Sequence, residues 1–176
     1  MKNLDNLLFD AIEENDLVLI NALIRDGADV NAKRYNKTTL MTAIINNNLA
    51  SVKAILDTKK YNFKNTDSEG NNALAIACSK ASFLRYRKSV DDFAIIGIIR
   101  LLLAAGENVN YQNFNGDTPL ILATINENYE VVEMLLDANA DVNKINKSGY
   151  NALKVAALYE NKELQRLLMR YFLKIV

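Results

Sequence analysis

No histidine occurs in the 176 residues. Without an imidazole there is no Ser-His-Asp or Cys-His pair, no histidine-bearing zinc site and no ordinary near-neutral general base. Cys78 is the one cysteine. A reactive thiol would need exposure and a helix N-terminus or a cation beside it. Carboxylates come in pairs at Glu13-Glu14 and Asp91-Asp92; both read as solvated residues at helix ends or on exposed faces, where they offset a helix dipole. No phosphate-cradling pattern, G-x-x-x-x-G-K-[ST] or G-x-G-x-x-G, is present. Lys80, Arg85, Arg87 and Lys88 are interleaved with Phe83 and Tyr86. Basic residues with aromatics can bind nucleic acid, but Asp91 and Asp92 partly neutralise this cluster, and it reads as a solvated helix end. The side-chain inventory predicts no enzyme, no metal and no cofactor.

Composition narrows the partners further. Lys+Arg and Asp+Glu are equal at 21 each, so net charge predicts neither nucleic acid nor an anionic membrane as partner. No stretch approaches 18 continuous apolar residues, the length of a membrane span. Met1–Asp5 lacks the apolar run of a signal peptide, and a single cysteine suits a reducing compartment. A cytoplasmic location is expected, with export into a host cell without a cleavable signal as the alternative.

What must position any functional residue is a repeating unit. Residues 113–143 open with the turn Asn115-Gly116 and the helix start Thr118-Pro119, where Thr can cap free N–H groups and Pro suits the first helical position. A short apolar helix follows. Asn128 can cap a second helix with Val131, Val132, Leu135 and Leu136 on one face, and Asn139 suits its left-handed end. Neither helix is long enough to be stable alone. The anchor leucine recurs at Leu8, Leu40, Leu74, Leu120 and Leu153, with spacings of 32, 34, 46 and 33. Two residues before each stand the cap residues Asn6, Thr38, Asn72, Thr118 and Asn151. Ten after four of those come Asp16, Asn48, Asn128 and Asn161. The tails Gly27–Asn31, Gly106–Asn110 and Asn139–Asn143 also match.

Together these residues resemble the ankyrin repeat, with its Thr-Pro-Leu start and Gly-Ala-Asp-Val-Asn end, over nearly the whole chain. The resemblance implies an all-α solenoid of five helix-turn-helix repeats in one domain, 1–176, with units near 1–33, 34–66, 67–112, 113–145 and 146–176. It also places Cys78 at a small buried site. Only the fourth unit keeps Thr-Pro-Leu. The family's histidine after the anchor is replaced by Phe9, Met41, Ala75, Ile121 and Lys154, which predicts interfaces resting more on apolar packing. Glu127 and Glu160 stand where the family has glycine between helices.

The third unit carries the extra residues, read as a lengthened helical hairpin. Its first helix is predicted from the cap Asn72 through Phe83 and Leu84 to about Arg87. A capping box at Ser89 and Asp92 precedes a second helix from Val90 to Ala105. Phe83, Leu84, Phe93 and Ile96 are expected to pack together. In the fifth unit, Lys162, Glu163, Gln165, Arg166 and Arg170 form a polar outer face, and the second helix runs on past Phe172. Phe172, Leu173 and Val176 are expected to fold back and seal the stack, leaving a monomer; the alternative is a homodimer, a self-associating protein built on that helix.

The resemblance implies that another protein binds the concave surface made by the loop tips and first helices. Carried over unit by unit, the candidate residues are Lys33, Arg34, Tyr35 and Lys37; Glu69 and Asn71; Phe114, Asn115 and Asp117; Ile125 and Asn126; Lys147 and Tyr150; and Tyr159. Aromatics at loop tips are the informative members, because a tip has no structural need of them and aromatic anchors dominate many interfaces.

Overall fold

The structure, a computed structural model, describes residues 3–81 and 90–174. Its helices fall into five consecutive pairs: α1 (Leu4–Glu13) with α2 (Leu17–Arg25), α3 (Thr39–Ile45) with α4 (Leu49–Asp57), α5 (Ala73–Lys80) with α6 (Val90–Ala104), α7 (Pro119–Ile125) with α8 (Tyr129–Asp137), and α9 (Ala152–Leu158) with α10 (Lys162–Lys174). Among the described residues the only strands are β1 (Lys33–Arg34) and β2 (Lys37–Thr38), paired antiparallel. The chain is an all-α repeat solenoid. First helices pack on first helices, and second helices form the layer behind.

The recurrent leucines explain the two layers. Leu8, Leu40, Leu74 and Leu120 are buried between them, and each such burial is worth about 1.5–3 kcal/mol. Leu153, in the last unit, is only half-buried. The caps fix where helices begin. Thr38, Asn72, Thr118 and Asn151 accept N–H bonds at the starts of α3, α5, α7 and α9. Asp16, Asn48, Asn128 and Asn161 do the same for α2, α4, α8 and α10. Asn6 does not cap. α1 begins a turn earlier, at Leu4, because Asn3 Oδ1 accepts from Asp5 N and Asp5 Oδ1 in turn holds Asp29 N (2.8 Å). Between paired helices Asn15, Asn47, Glu127 and Glu160 take φ of 60°, 55°, 53° and 55°, the left-handed conformation that costs a glutamate roughly 1 kcal/mol.

The third unit departs from its expected form. α5 stops at Lys80, since Ala81 leaves the helix at φ −73°, ψ 72°. Only α6 is clearly lengthened, with 15 residues against nine in α2, α4 and α8. The capping box at Ser89 and the packing of Phe83 and Leu84 lie outside the described residues. Phe93 is exposed and so does not serve as a core residue.

The fifth unit is also corrected. α10 continues straight to Lys174, buries Leu164, Leu167 and Leu168, and is tied to the preceding unit by a hydrogen bond from the Tyr171 hydroxyl to Asp137 Oδ1. A straight helix cannot turn Phe172 and Leu173 back over the stack. Both stay exposed, Leu173 at 66%; Val176 lies outside the described residues.

Candidate functional site

The loop tips line one edge of the first-helix layer. The unit 2 tip is a two-residue hairpin loop, with Tyr35 at φ 52° and Asn36 at φ 60°. Positive φ at both central residues lets the turn follow the strand twist. Asparagine tolerates it; tyrosine does so at roughly 1 kcal/mol. The later tips each close around one side chain. Asp67 Oδ1 accepts from Glu69 N and Asn71 N, Asn113 Oδ1 from Asn115 N and Asp117 N, and Asn146 Oδ1 from Ser148 N and Tyr150 N, at 2.8–3.1 Å.

Neighbouring tips are then stitched together. Phe114 N donates to Glu69 O (3.1 Å) and Lys147 N to Asn115 O (2.9 Å). Asn113 Nδ2 donates to Asn71 Oδ1 (2.8 Å), and Asn146 Nδ2 to Asp117 Oδ1 (2.7 Å). The Phe114 ring lies over Gly70, where a Cβ would sit 2.5 Å from it.

A second ladder runs along the turns between paired helices. Asn48 Nδ2 donates to Asn15 Oδ1, Asn128 Nδ2 to Ala81 O and Asn161 Nδ2 to Glu127 Oε2. Asn126 Nδ2 spans to Cys78 O and Ser79 O. A third ladder joins the tails. Asn31 bridges Lys60 O and Asn62 N, and Asn110 bridges Asn139 O and Asp141 N. Apolar packing therefore does not carry the interfaces alone: asparagine side chains supply polar ties between units.

These bonds sort the candidate residues. Lys33, Tyr35, Glu69, Phe114, Asn115, Ile125, Lys147, Tyr150 and Tyr159 are exposed on the tip and first-helix face, Tyr35 at 87% and Phe114 at 62%. Arg34, Lys37 and Asn126 are half-buried. Asn71 and Asp117 are buried, and their side chains are committed to the tips. Arg34 is committed as well: its guanidinium meets Asp10 Oδ1 and Glu13 Oε1, each at 2.7 Å, and lies 4.8 Å over the Phe9 ring. The hydrogen bond to Asp10 is the main reason its pKa rises. Asp10 and Phe9 are parts of this arrangement that sequence reasoning missed, because nothing local couples α1 to a tip some two dozen residues later.

Between the unit 2 tip and α3 lies a cleft of about 220 Å³. Two larger clefts, of 350 and 650 Å³, open at the ends of second helices and away from the tips. Cys78 is fully buried, and burial pushes its thiol pKa well up; a protonated, enclosed thiol is inert. Among the described residues no three potential ligands group to hold a metal, and no helix is long and apolar enough to cross a membrane. The arrangement offers a ridge of exposed tips and first-helix side chains as contact surface.

No curated protein sequence matches the chain. A family model described as ankyrin repeats (3 copies) matches residues 8–90 and again residues 93–175. With that model covering nearly all of its length, the chain belongs to the ankyrin-repeat family.

Proposed function

We propose that this protein is a non-catalytic recognition module that binds a partner protein along the concave face of its stack. Ankyrin repeats are generally protein–protein interaction modules and are typically not catalytic. One observation carries the reading to this face: Tyr35, Phe114, Tyr150 and Tyr159 are all solvent-exposed along it. Phe114 has a structural duty over Gly70; Tyr35 is almost wholly exposed, and Tyr150 and Tyr159 keep 40% and 49% of their surface in solvent. Exposed, conformationally simple aromatics are the side chains that most often anchor an interface. In this reading Lys33, Lys37, Glu69, Asn115, Ile125 and Lys147 supply the surrounding contacts. Arg34, Asn71, Asp117 and Asn126 hold the surface in shape.

Affinity capture with the full chain tests this, repeated with Tyr35, Phe114 and Tyr150 all changed to Ala. The captured protein's affinity should fall by about 2 kcal/mol or more, with circular dichroism unchanged. Equal affinity in the triple variant would sink the proposal.

A second reading is favoured by the exposure of Met169, Phe172 and Leu173 on one end of α10: self-association through that helix. Sedimentation should then show a dimer for the intact chain and a monomer after deletion of 172–176. A monomer in both cases removes this reading.

A further inference from the structure

The cleft beside the unit 2 tip has a defined chemistry. Arg34, Tyr35 and Lys37 form its hairpin wall, and Thr42 and Ile45 of α3 with Asn46 just past its end form its floor. Glu13 closes one side, paired with Arg34 at 2.7 Å, so the lining itself carries two cations, Arg34 and Lys37, against one carboxylate; Arg34 also reaches Asp10, outside the cleft. That leaves Lys37 as the cation on the walls that pairs with no carboxylate among the described residues. At about 220 Å³, the cleft is below the roughly 300–1,000 Å³ of small-molecule sites, so it suits one side chain of a larger partner. Ile45 offers an apolar contact, and Tyr35, almost wholly exposed, offers a ring beside it.

We propose that this cleft is a specificity subsite for an acidic side chain with an apolar neighbour, presented by a segment of the partner protein. The carboxylate meets Lys37, and the apolar neighbour lies on Ile45 and the Tyr35 ring. A basic side chain there is repelled by Lys37, and a neutral one leaves that ammonium partly dehydrated without a counter-charge, so the site discriminates by charge. This rests on the concave-face reading and names the chemistry it selects.

The test uses the full chain and three pools of blocked peptides. The pools are identical in their degenerate positions, with a central Leu-Glu-Phe, Leu-Gln-Phe or Leu-Lys-Phe, and binding is followed by fluorescence polarisation. The glutamate pool should bind about tenfold more tightly than the glutamine pool, as fits one charge-assisted contact, and the preference should shrink with salt. Lys37→Glu should shift the preference to the lysine pool, and Lys37→Gln should abolish it. Circular dichroism checks that both variants are folded. Equal affinity for the glutamate and glutamine pools overturns the proposal, as does a glutamate preference that survives Lys37→Glu. Failure of every pool to bind at millimolar concentration overturns it too. If the pools bind without charge preference yet lose binding in the Tyr35, Phe114, Tyr150 triple variant, the concave face stands and this subsite falls.

Discussion

Replacing Glu107 by Gln should make the protein more stable at neutral pH. Glu107 occupies the tail position that Ala28 and Ala140 fill in the first and fourth units. It is only 5% exposed, and neither carboxyl oxygen completes a hydrogen bond. Asn72 lies near enough to favour the charged form somewhat, but its amide donates to Asn108 O at 3.4 Å. Tyr61 faces the same space, with its own hydroxyl buried and unpaired. Burial therefore dominates and pushes the Glu107 pKa from the ordinary 4.5 up to about 8. Between those values the folded protein holds a proton that the unfolded chain has released, so stability falls as pH rises through that window. By pH 7 the loss is about 3 kcal/mol, and it levels off near 5 kcal/mol above pH 8. Gln keeps the shape of the protonated acid and cannot ionise. Urea unfolding of parent and Glu107→Gln should therefore give curves that meet near pH 4 and separate by about 3 kcal/mol at pH 7, with unchanged urea dependence. A variant less stable than the parent at pH 7, or a gap that does not change from pH 5 to 8.5, would refute the reasoning, because either result means a carboxylate that is charged and paired.

Three other substitutions probe the ties between units. Asn113→Ala removes a buried amide that holds its own tip and donates to Asn71; unfolding should show a loss of about 2–4 kcal/mol, since buried partners are left unsatisfied. Gly70→Ala places a Cβ 2.5 Å from the Phe114 ring at φ +76° and should cost at least about 1–2 kcal/mol. Adding Phe114→Ala should recover the steric part, as a double-mutant cycle would show. Glu160→Gly relieves a left-handed glutamate that is exposed and should raise stability by about 0.5–1 kcal/mol in thermal melts.

The period of about 33 residues made the architecture legible because anchors and caps are local signals. Thr118 and its Pro119 announce a helix start from three residues of sequence, and the structure puts Thr118 Oγ1 on Ile121 N. Asn6 misled because it satisfies the same register, while Asn3 caps α1 and starts it before Asn6. α5 was expected too long because its sequence stays helix-compatible past Lys80, and composition alone does not say where a helix turns away. On the candidate face, exposure at Tyr35 and Tyr150 followed from tip position. The burial of Asn71 and Asp117 did not, because their partners are 42 and 29 residues away in sequence. Arg34 looked like a contact residue for the same reason: its counter-charges Asp10 and Glu13 belong to another unit.

The absence of histidine has a consequence for how the stack holds its shape. Apolar packing between units is non-directional and tolerates small slips of one helix pair on the next. The asparagine ladders do not tolerate them, since a bond of 2.6–3.3 Å between units weakens steeply with misalignment. Among the described residues the third and fourth units are tied at tip, inter-helix turn and tail, three separated points that oppose rotation of one on the other; the first and second are tied at turn and tail, and the fourth and fifth at tip and turn. The tips that carry Phe114, Lys147 and Tyr150 are themselves one of these ladders. Recognition surface and register are therefore made by the same bonds, and a substitution such as Asn113→Ala should disturb the geometry of the exposed aromatics before it unfolds the chain.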